Sequence, residues 1–415
     1  MGGYDMTRDG GLRGVLRRLD AMAWLRPDLA RAACWALLLG LATIPLAWVV
    51  LAEGGIRHTG IPIAADFSAF WTAARFAFTG NAPAAYDPAA MQAAQDALFP
   101  GRDFGYLGFY YPPGFLLALM PFGALSREAA AGLFLGLTGL AYVLAVRPLL
   151  ARGAPVAALL AFPAVLVVLD YGQNGFLSAA LLSVAALTLD RRPVAAGIAF
   201  GLLAYKPQLG VLVPILLAIS GRWRVIIAAT ATVVATAVLA ALVLGAEIWP
   251  AFLRNSAGAQ AQLEQGLVDY GRMASVFAFV RSIGIGASPA YTAQALAAVC
   301  AAWMVFSVAR HVSDGRAQCA LLVAAIPFAM PYFYEYDSVI LAVPMAWLLA
   351  EGVRDGFRAG ERSILAACFF APLIASIPGL FGNGFALVAG ALLLAAVARR
   401  ARALHNAPAE TGPSS

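Results

Sequence analysis

The chain has 415 residues, 62% of them hydrophobic and 12% charged, with a formal net charge of +6 at pH 7. This number of charged residues is too small to cover the water-exposed surface of a globular protein of this size. The composition therefore excludes an ordinary soluble protein and indicates that lipid surrounds much of the chain. The arginines lie in small clusters between apolar segments, which argues against a nucleic-acid-binding patch and is typical of the orientation signals of a multi-pass membrane protein.

The predicted elements begin with a cytoplasmic, arginine-rich segment over residues 1–30. Its first apolar run lacks a small-residue cleavage site, so we predict a retained helix and not a removed signal peptide. The longest apolar runs match the roughly 20 residues that a helix needs to cross a bilayer. We therefore predict an all-α bundle of about twelve transmembrane helices within residues 31–398 and a cytoplasmic tail over 399–415. The helices are predicted at 31–53, 128–147, 154–170, 175–189, 193–205, 208–220, 224–245, 288–310, 317–332, 337–352, 363–378 and 382–398.

The segment 112–125 decides the orientation of every later helix. It is short and proline-rich, so we predict that it re-enters the membrane without crossing it, and we place 54–127 on the extracytoplasmic side. With this assignment, 20 of the 28 basic residues fall on the cytoplasmic side, whereas a crossing segment would leave only 11 there. Because cytoplasmic loops carry the excess of Lys and Arg, the first assignment is favoured.

Under this topology, every polar interruption of the apolar pattern falls on the outer side. The interruptions are the loop 54–111, the turn 170–175, the segment 205–208, the loop 246–274 and the segment 334–337. Unusual chemistry is therefore expected on the extracytoplasmic face, and the arginine clusters on the cytoplasmic face.

Asp66 begins a segment that predicts an amphipathic helix at the membrane interface. Its apolar stripe consists of Phe67, Phe70, Trp71, Ala74 and Phe78, and Gly80 is expected to end it. Asp66 has two interpretations, which do not exclude each other. It caps the free backbone N–H groups at the helix start, or it is a general base held at the lipid–water boundary.

Lys206 is the only lysine of the chain and interrupts a long apolar run. A cation in such a position requires a partner or a wet cavity, and Pro207 beside it is expected to break the helix. Lys206 is therefore either a snorkelling lysine at a helix end or a ligand for an anion such as a phosphate. Arg254 and Arg272 are further phosphate candidates, with solvated surface charge as the alternative.

Candidate ligands for a sugar or an acceptor are Tyr110, Tyr111, Gln173, Asn174, Gln208, Glu335, Tyr336 and Asp337. Turn chemistry and an interfacial aromatic belt explain several of them equally well. The carboxylates at positions 335 and 337 leave a divalent cation open as a cofactor, although this pattern alone is a weak metal signal. No nucleotide, nucleophile-elbow or histidine metal motif occurs, and the four cysteines lack the spacing of a disulfide framework or a zinc site.

In their order along the chain, these motifs resemble glycosyltransferase family 87, the polyprenyl-phosphate-mannose-dependent mannosyltransferases of bacterial envelopes. The resemblance covers roughly residues 60–350 and rests on DFSAFWTAARFAFTGNAPAAYDP, FYYPPGFLLALMPFGAL, GQNGFLSAALL, GLLAYKPQLGVLVPILLAI and PYFYEYDSVILAVP. It implies a GT-C fold in a bacterial inner membrane, with the active site outside the cytoplasm. The family's catalytic aspartate, in the loop after the first membrane helix, corresponds here to Asp66.

The resemblance also implies a reaction. Asp66 would take the proton from an acceptor hydroxyl, which attacks the anomeric carbon and inverts it as the polyprenyl phosphate departs. Lys206, with Arg254 or Arg272, would stabilise that phosphate, and the polyprenyl tail would lie in a groove open to lipid. The expected function is transfer of a hexose, with mannose as the family's sugar, to an envelope lipid or glycan.

Two other functional classes compete with this expectation. A secondary transporter or a lipid flippase also uses broken helices and an intramembrane cation. The sequence has no internal repeat, however, and its polar motifs are predicted at one face and not at the membrane midplane. A purely structural membrane protein is the third class, and it leaves Lys206 and the ordered motifs unexplained.

Overall fold

The computed structural model describes residues 27–102, 105–376 and 380–405, so most of the predicted N-terminal segment and the end of the predicted tail lie outside the described residues. Within them every regular element is helical, and β-pairing is limited to isolated bridges near residues 53–62 and between Met273 and Tyr334. The α-helices are α1 Pro27–Val50, α2 Phe67–Phe78, α3 Pro88–Leu98, α4 Pro113–Leu119, α5 Arg127–Val146, α6 Ala157–Leu160, α7 Pro163–Tyr171, α8 Gly175–Thr188, α9 Pro193–Leu202, α10 Val213–Ile219, α11 Trp223–Leu244, α12 Ile248–Gln265, α13 Val276–Ser282, α14 Ala287–His311, α15 Gly315–Ala329, α16 Ala342–Asp355, α17 Glu361–Ala375 and α18 Leu380–His405.

Each of the twelve predicted membrane segments contains helix, but the predicted count of about twelve transmembrane helices is not confirmed. Among the described residues, six helical stretches are long and apolar enough to cross a membrane alone: Asp28–Val50, Arg127–Leu149, Trp223–Leu244, Ala287–His311, Glu335–Asp355 and Gly382–Leu404. Several of the others are shorter, and prolines mark some of their boundaries, since α9 begins at Pro193 and a 3₁₀ turn before α10 begins at Pro207. At about 1.5 Å per residue, the 14 residues of α8 rise only about 21 Å, less than the roughly 30 Å of a hydrocarbon core.

The core lies around α15, while other helices turn apolar side chains outward. Residues Ala317 to Pro327 of α15 are all buried. In contrast, Leu39 on α1 and Leu242 on α11 are 68% and 76% exposed. Apolar faces of this kind are stable only if lipid or another apolar surface covers them, which agrees with a membrane protein.

The helices run between two ends of the bundle that hold different polar groups. The arginine end is defined by the ion-paired residues Asp190, Arg222, Glu361 and Arg400. The cavity end is defined by Asp66, Gln173, Lys206 and Arg272. Helix α8 connects the two ends, because it begins directly after Asn174 and its last residue, Thr188, is two residues before Asp190. This separation agrees with the predicted topology, whereas the side of the membrane on which each end lies stays a prediction.

The segment 112–125 forms α4 and a following 3₁₀ turn, Met120–Ala124. Its regular part, Pro113–Ala124, is too short to cross a bilayer alone, as the sequence predicted. The segment is tied to α2 by two side chains, since Trp71 Nε1 donates to the carbonyl of Leu125 and Arg75 to that of Gly123, each at 3.0 Å. Its re-entry into the membrane stays a prediction.

Helix α2 begins after Asp66 and ends before Gly80, where the predicted stop falls, and Gly80 has a φ of +83°. Eight of its residues are buried, which differs from the predicted helix with only one covered face. Of the predicted apolar stripe, Phe67 and Phe70 pack into the core of the protein, whereas Phe78 is half exposed. The protein itself therefore encloses most of the helix that carries Asp66 at its start.

Candidate active site

A cavity of about 520 Å³ opens at the cavity end of the bundle. Its volume lies within the roughly 300 to 1,000 Å³ of typical ligand pockets. Its walls come from the start of α2, the segment 106–112, the turn at Gln173, the break at 205–208, one face of α12 and the segment 332–336. The charged residues in this lining are Asp66, Lys206 and Arg272.

Asp66 does not cap α2. Its backbone is already in the right-handed helical region and its side chain makes no capping hydrogen bond, so the capping interpretation is wrong. Instead, Oδ2 accepts hydrogen bonds from Nε2 of Gln173 at 3.0 Å and from the Arg272 guanidinium at 3.3 Å. The carboxylate is therefore turned away from the backbone and into the cavity.

A glycine turn brings Gln173 to Asp66. Gly172 ends α7 with a φ of +73°, and a Cβ at this position would lie 2.6 Å from the Cβ of Ala64. A Cβ on Gly175 would lie 2.5 Å from the carbonyl of Tyr336. Glycine therefore allows the turn to pack between the segment before Asp66 and the segment after Tyr334.

Tyr111 holds the other side of the Gln173 amide. Burial raises the pKa of Tyr111, so its hydroxyl stays protonated and donates to Oε1 of Gln173 at 3.4 Å. Gln173 thus accepts from Tyr111 and donates to Asp66, which leaves its amide in one orientation. The predicted turn residue is part of the site and orients the carboxylate.

Lys206 lies at a break in the helix, as Pro207 predicted. The 3₁₀ turn Leu203–Tyr205 ends at Lys206, whose backbone is not helical, and another short turn starts at Pro207. Nζ lies 2.6 Å from Oδ1 of Asp337 and 3.3 Å from Oδ1 of Asn174. The side chain is only 3% exposed, so the interpretation as a snorkelling lysine is wrong.

Arg272 comes from the 3₁₀ turn Tyr270–Arg272 and meets three groups at the cavity wall. It lies 3.3 Å from Asp66 and 3.5 Å from Glu335, and its guanidinium stacks 3.7 Å from the ring centre of Tyr171. Burial lowers the pKa of Arg272, but the nearby acidic and phenolic side chains, with Asp66 the strongest of them, together raise it by more, so the net direction is upward. Arg272 therefore stays charged beside Asp66.

With this geometry established, comparison with known proteins identifies the family. The model of glycosyltransferase family 87 matches residues 109–333, more than half of the chain. The chain belongs to glycosyltransferase family 87. It is accordingly a membrane glycosyltransferase, which favours the enzyme over the transporter and the structural protein. Searches of curated proteins and of solved structures find no match.

The family match is narrower than the resemblance read from the motifs. It includes Gln173, Lys206 and Arg272, but Asp66 lies before it and Asp337 after it. The family assignment therefore does not by itself give Asp66 a role. What links Asp66 to the matched region is the geometry, because its two side-chain partners lie within residues 109–333.

The predicted sugar and acceptor residues divide into two groups. Those that line the cavity are Tyr110, Tyr111, Gln173, Gln208 and Tyr336. Asn174, Glu335 and Asp337 are buried behind the lining, where they bind its two cations. These three residues of the glycosyltransferase are therefore in position to orient the cations and not to touch a sugar.

One prediction from the sequence needs correction, and one possibility that it left open has no support in the geometry. Arg254 is exposed on α12 and does not line the cavity, whereas the next residue, Asn255, is buried and donates to the carbonyl of Phe109 at 3.0 Å. Glu335 and Asp337 do not converge on one point, since each binds a different cation. The residues that the structure describes contain no group of three His, Cys, Asp or Glu side chains arranged to hold a metal ion.

The sequence interpretation missed part of the lining, namely Ser256, Gln260 and Gln262. A signal was present, because Phe252, Ser256 and Gln260 recur at the four-residue spacing that places side chains on one face of a helix. The sequence interpretation predicts that residues 246–274 form a loop with two arginines. This segment is largely helix α12, and its amide-bearing face forms a wall of the cavity.

A second, apolar cavity of about 260 Å³ adjoins the first. Pro112 and Tyr205 line both cavities, so the two meet at these residues. The apolar cavity lies between α4, α8, α9 and α11, and its lining includes Leu181, Leu202 and Val233. Leu202 is more than 40% exposed, and so is Val234, which follows Val233 in the chain. This side of the glycosyltransferase therefore has an exposed apolar surface.

Proposed function

We propose that the protein transfers a hexose, with mannose as the first candidate, from a polyprenyl-phosphate donor to a lipid or glycan acceptor at the extracytoplasmic face of a bacterial inner membrane. One observation carries the proposal. A carboxylate, Asp66, faces the same cavity as two cations, Lys206 and Arg272, and that cavity adjoins an apolar one. A base, an anion site and a lipid site are the three elements that such a transfer requires.

The proposed reaction is a single displacement with inversion. Asp66 accepts the proton of the acceptor hydroxyl as the oxygen attacks the anomeric carbon. The bond between that carbon and the phosphate oxygen breaks on the opposite side, and the electron pair leaves with the polyprenyl phosphate. Gln173 supports this step because it holds Oδ2 of Asp66 in place without supplying a second charge.

The two cations have different roles in this proposal. Lys206 is fixed by a short contact to the buried Asp337, whereas Arg272 is 30% exposed and its contacts to Asp66 and Glu335 are longer. A donor phosphate offers Arg272 a more highly charged partner than one carboxylate does. We therefore expect Arg272 to turn from Asp66 to the phosphate, which frees the carboxylate to act as the base.

The apolar cavity is the proposed site of the polyprenyl chain. Its lining of mainly apolar side chains suits an isoprenoid, and Tyr205, which lies at its junction with the polar cavity, directly precedes Lys206 in the chain. A chain that runs outward past α11 would remain among apolar side chains. The phosphate would then lie at the boundary between the two cavities, where the lysine is held.

A transfer assay tests the proposal. Purified protein in nanodiscs is incubated with radiolabelled polyprenyl-phosphate mannose and an envelope lipid extract, and labelled product is separated from donor. We expect transfer by the wild-type protein and its loss in Asp66→Asn. The proposal fails if label never leaves the donor with any extract while the same protein moves the donor across vesicle membranes.

Cysteine labelling tests the orientation. Ala89 on α3 and Ala359 between α16 and α17 are both exposed, one in the loop predicted outside and one near the arginine end. In a Cys300→Ser background, which removes the exposed native thiol, Ala89→Cys should react with an impermeant maleimide in spheroplasts. Ala359→Cys should react only after the membrane is opened. The reverse labelling result would mean that the topology is opposite to the predicted one.

A further inference from the structure

The polar cavity has two sides of different chemistry. Its charged residues come from the start of α2, the break after Tyr205 and the turn at Arg272. The side formed by α12 and the neighbouring aromatic segments carries only uncharged polar groups, namely Tyr106, Tyr110, Ser256, Gln260, Gln262 and Tyr332. The proposed donor phosphate and base account for the charged side but leave this uncharged side without a ligand.

The tyrosine and amide groups on this side lie next to one another. The side chain of Tyr110 lies beside those of Tyr106 and Gln262, and all three line the cavity. Burial raises the pKa of Tyr110, so its hydroxyl stays neutral and is able both to donate and to accept. Amides and phenols that line a cavity in this way can exchange hydrogen bonds with sugar hydroxyls, and the flat rings can cover the apolar faces of a sugar.

An anionic ligand does not suit this side. No cation lines it, and the nearest charged group on α12 is Glu264, which accepts a hydrogen bond from Gln260 at 2.8 Å. Arg254 faces away from the cavity. A carboxylate or phosphate buried here would therefore lose its water without gaining an opposite charge, which is unfavourable.

We propose that this side of the cavity, the α12 subsite, binds the acceptor and selects an uncharged carbohydrate. The inference rests on the proposed function, because it assigns the acceptor half of the same site. The cavity size of about 520 Å³ allows more than one sugar ring to be held while a hydroxyl reaches Asp66. The acceptor is recognised through its sugar, so a glycolipid and a free glycan with the same sugar end bind alike at this subsite.

Direct binding tests the subsite without any transfer. Protein in nanodiscs is titrated calorimetrically with a neutral methyl α-mannobioside and with a disaccharide that carries a uronic acid carboxylate. We expect the neutral probe to bind more tightly, and Gln260→Ala/Gln262→Ala to weaken it by about tenfold, as expected for two lost hydrogen bonds. The matched control is Gln265→Ala, an exposed glutamine of the same helix that does not line the cavity, and it should bind as the wild type does.

Kinetics separate the subsite from the proposed reaction. In the transfer assay, the double variant should raise the KM for the acceptor by about tenfold, while kcat and the donor KM stay within about threefold. The same rise is expected with an acceptor glycolipid and with its deacylated glycan, whereas a rise with the glycolipid alone would indicate lipid recognition and overturn the proposal. Transfer with an unchanged acceptor KM also overturns the subsite. Selective sugar binding with no transfer from the donor would leave the subsite standing and refute the proposed function.

Discussion

At the arginine end, Glu361 is fully buried and both of its oxygens are bound. The guanidinium of Arg400 donates to each oxygen, and the backbone N–H of Arg358 donates to Oε2 at 2.8 Å. At the cavity end, Asp337 is equally buried, but Lys206 binds only Oδ1, and Oδ2 has no hydrogen-bond partner among the described residues. Both ends therefore bury ion pairs, and only one of them satisfies its carboxylate completely.

This difference indicates what each pair is for. A buried carboxylate with all its hydrogen bonds made fixes two helix ends to each other and has no capacity for another ligand. Lys206 and Arg272 line a cavity while they are held from behind by Asp337 and Glu335. Their carboxylate partners hold the two cations at the cavity wall, so that a ligand would meet both of them there. We therefore infer that the arginine end is structural and that the cavity end binds the substrates.

The largest expected effect is loss of transfer in Asp66→Asn. The amide keeps the size of the side chain and still accepts one hydrogen bond, but it cannot take a proton, so the rate should fall by about 10²- to 10⁴-fold. The measurement is the transfer rate, with unfolding temperature as the check on the fold.

Asp87 offers a matched control for Asp66. It lies in the same region but caps α3, where its side chain accepts from the N–H groups of Ala89 and Ala90. Asn caps about as well as Asp, so Asp87→Asn should keep both activity and stability. Equal losses of transfer rate in Asp66→Asn and Asp87→Asn would contradict the assignment of Asp66 as a base and of Asp87 as a helix cap.

The next effect separates the two roles of Lys206. Lys206→Gln leaves Asp337 buried without its cation, and we expect the free energy of unfolding to fall by about 3 to 5 kcal/mol. Lys206→Gln/Asp337→Asn removes both charges and should recover most of that stability in thermal unfolding. If Lys206 also meets the donor phosphate, the double variant stays poorly active, whereas recovered transfer would make the pair purely structural.

Glu361→Gln is the counterpart at the arginine end. It deprives the buried Arg400 of its carboxylate, so a loss of stability of about 3 to 5 kcal/mol is expected here too. The folded fraction should nevertheless transfer sugar at the wild-type rate, because neither residue lines the polar or the apolar cavity. A lower rate per folded molecule would contradict the division of the bundle into a structural end and a binding end.

A smaller effect is expected from Arg272→Gln. Removing one donor to developing negative charge typically costs about 10²- to 10³-fold in rate, and weaker donor binding should accompany it. The measurement is kcat and donor KM in the transfer assay. If Arg272 only restrained Asp66, its removal would instead leave the donor KM unchanged.

The sequence was sufficient for the features that depend on local pattern. Apolar runs gave the positions of the helices, Pro207 gave the break at Lys206, and the helix after Asp66 ends where Gly80 predicted. The number of spans was not predictable in the same way, because a run such as that of α8 is apolar in sequence yet too short to cross alone. An apolar sequence is required of a helix that is buried inside the bundle as well as of one that faces lipid, so apolarity alone does not identify a membrane span.

The contacts between residues of the site could not be predicted from the local sequence pattern. Asp66 and Arg272 are 206 positions apart in the chain, and Lys206 and Asp337 are 131 apart. Such pairs depend on how the bundle packs, so the sequence indicated that Lys206 needs a partner without naming it. For the same reason it assigned Asp337 to a sugar, although the residue is buried behind the lysine.

The smallest expected effect concerns Arg254, which the sequence interpretation had assigned to the donor phosphate. It has the same charge as Arg272 and lies in the same polar segment, but it is exposed on the far side of α12 from the cavity. Arg254→Gln should therefore change kcat and donor KM by no more than about twofold, the usual range for a surface substitution. A loss as large as that in Arg272→Gln would mean that the phosphate lies outside the cavity. The two arginines have the same charge but different positions relative to the cavity. Comparing kcat and donor KM of the two variants therefore shows whether an arginine must line the cavity to affect transfer.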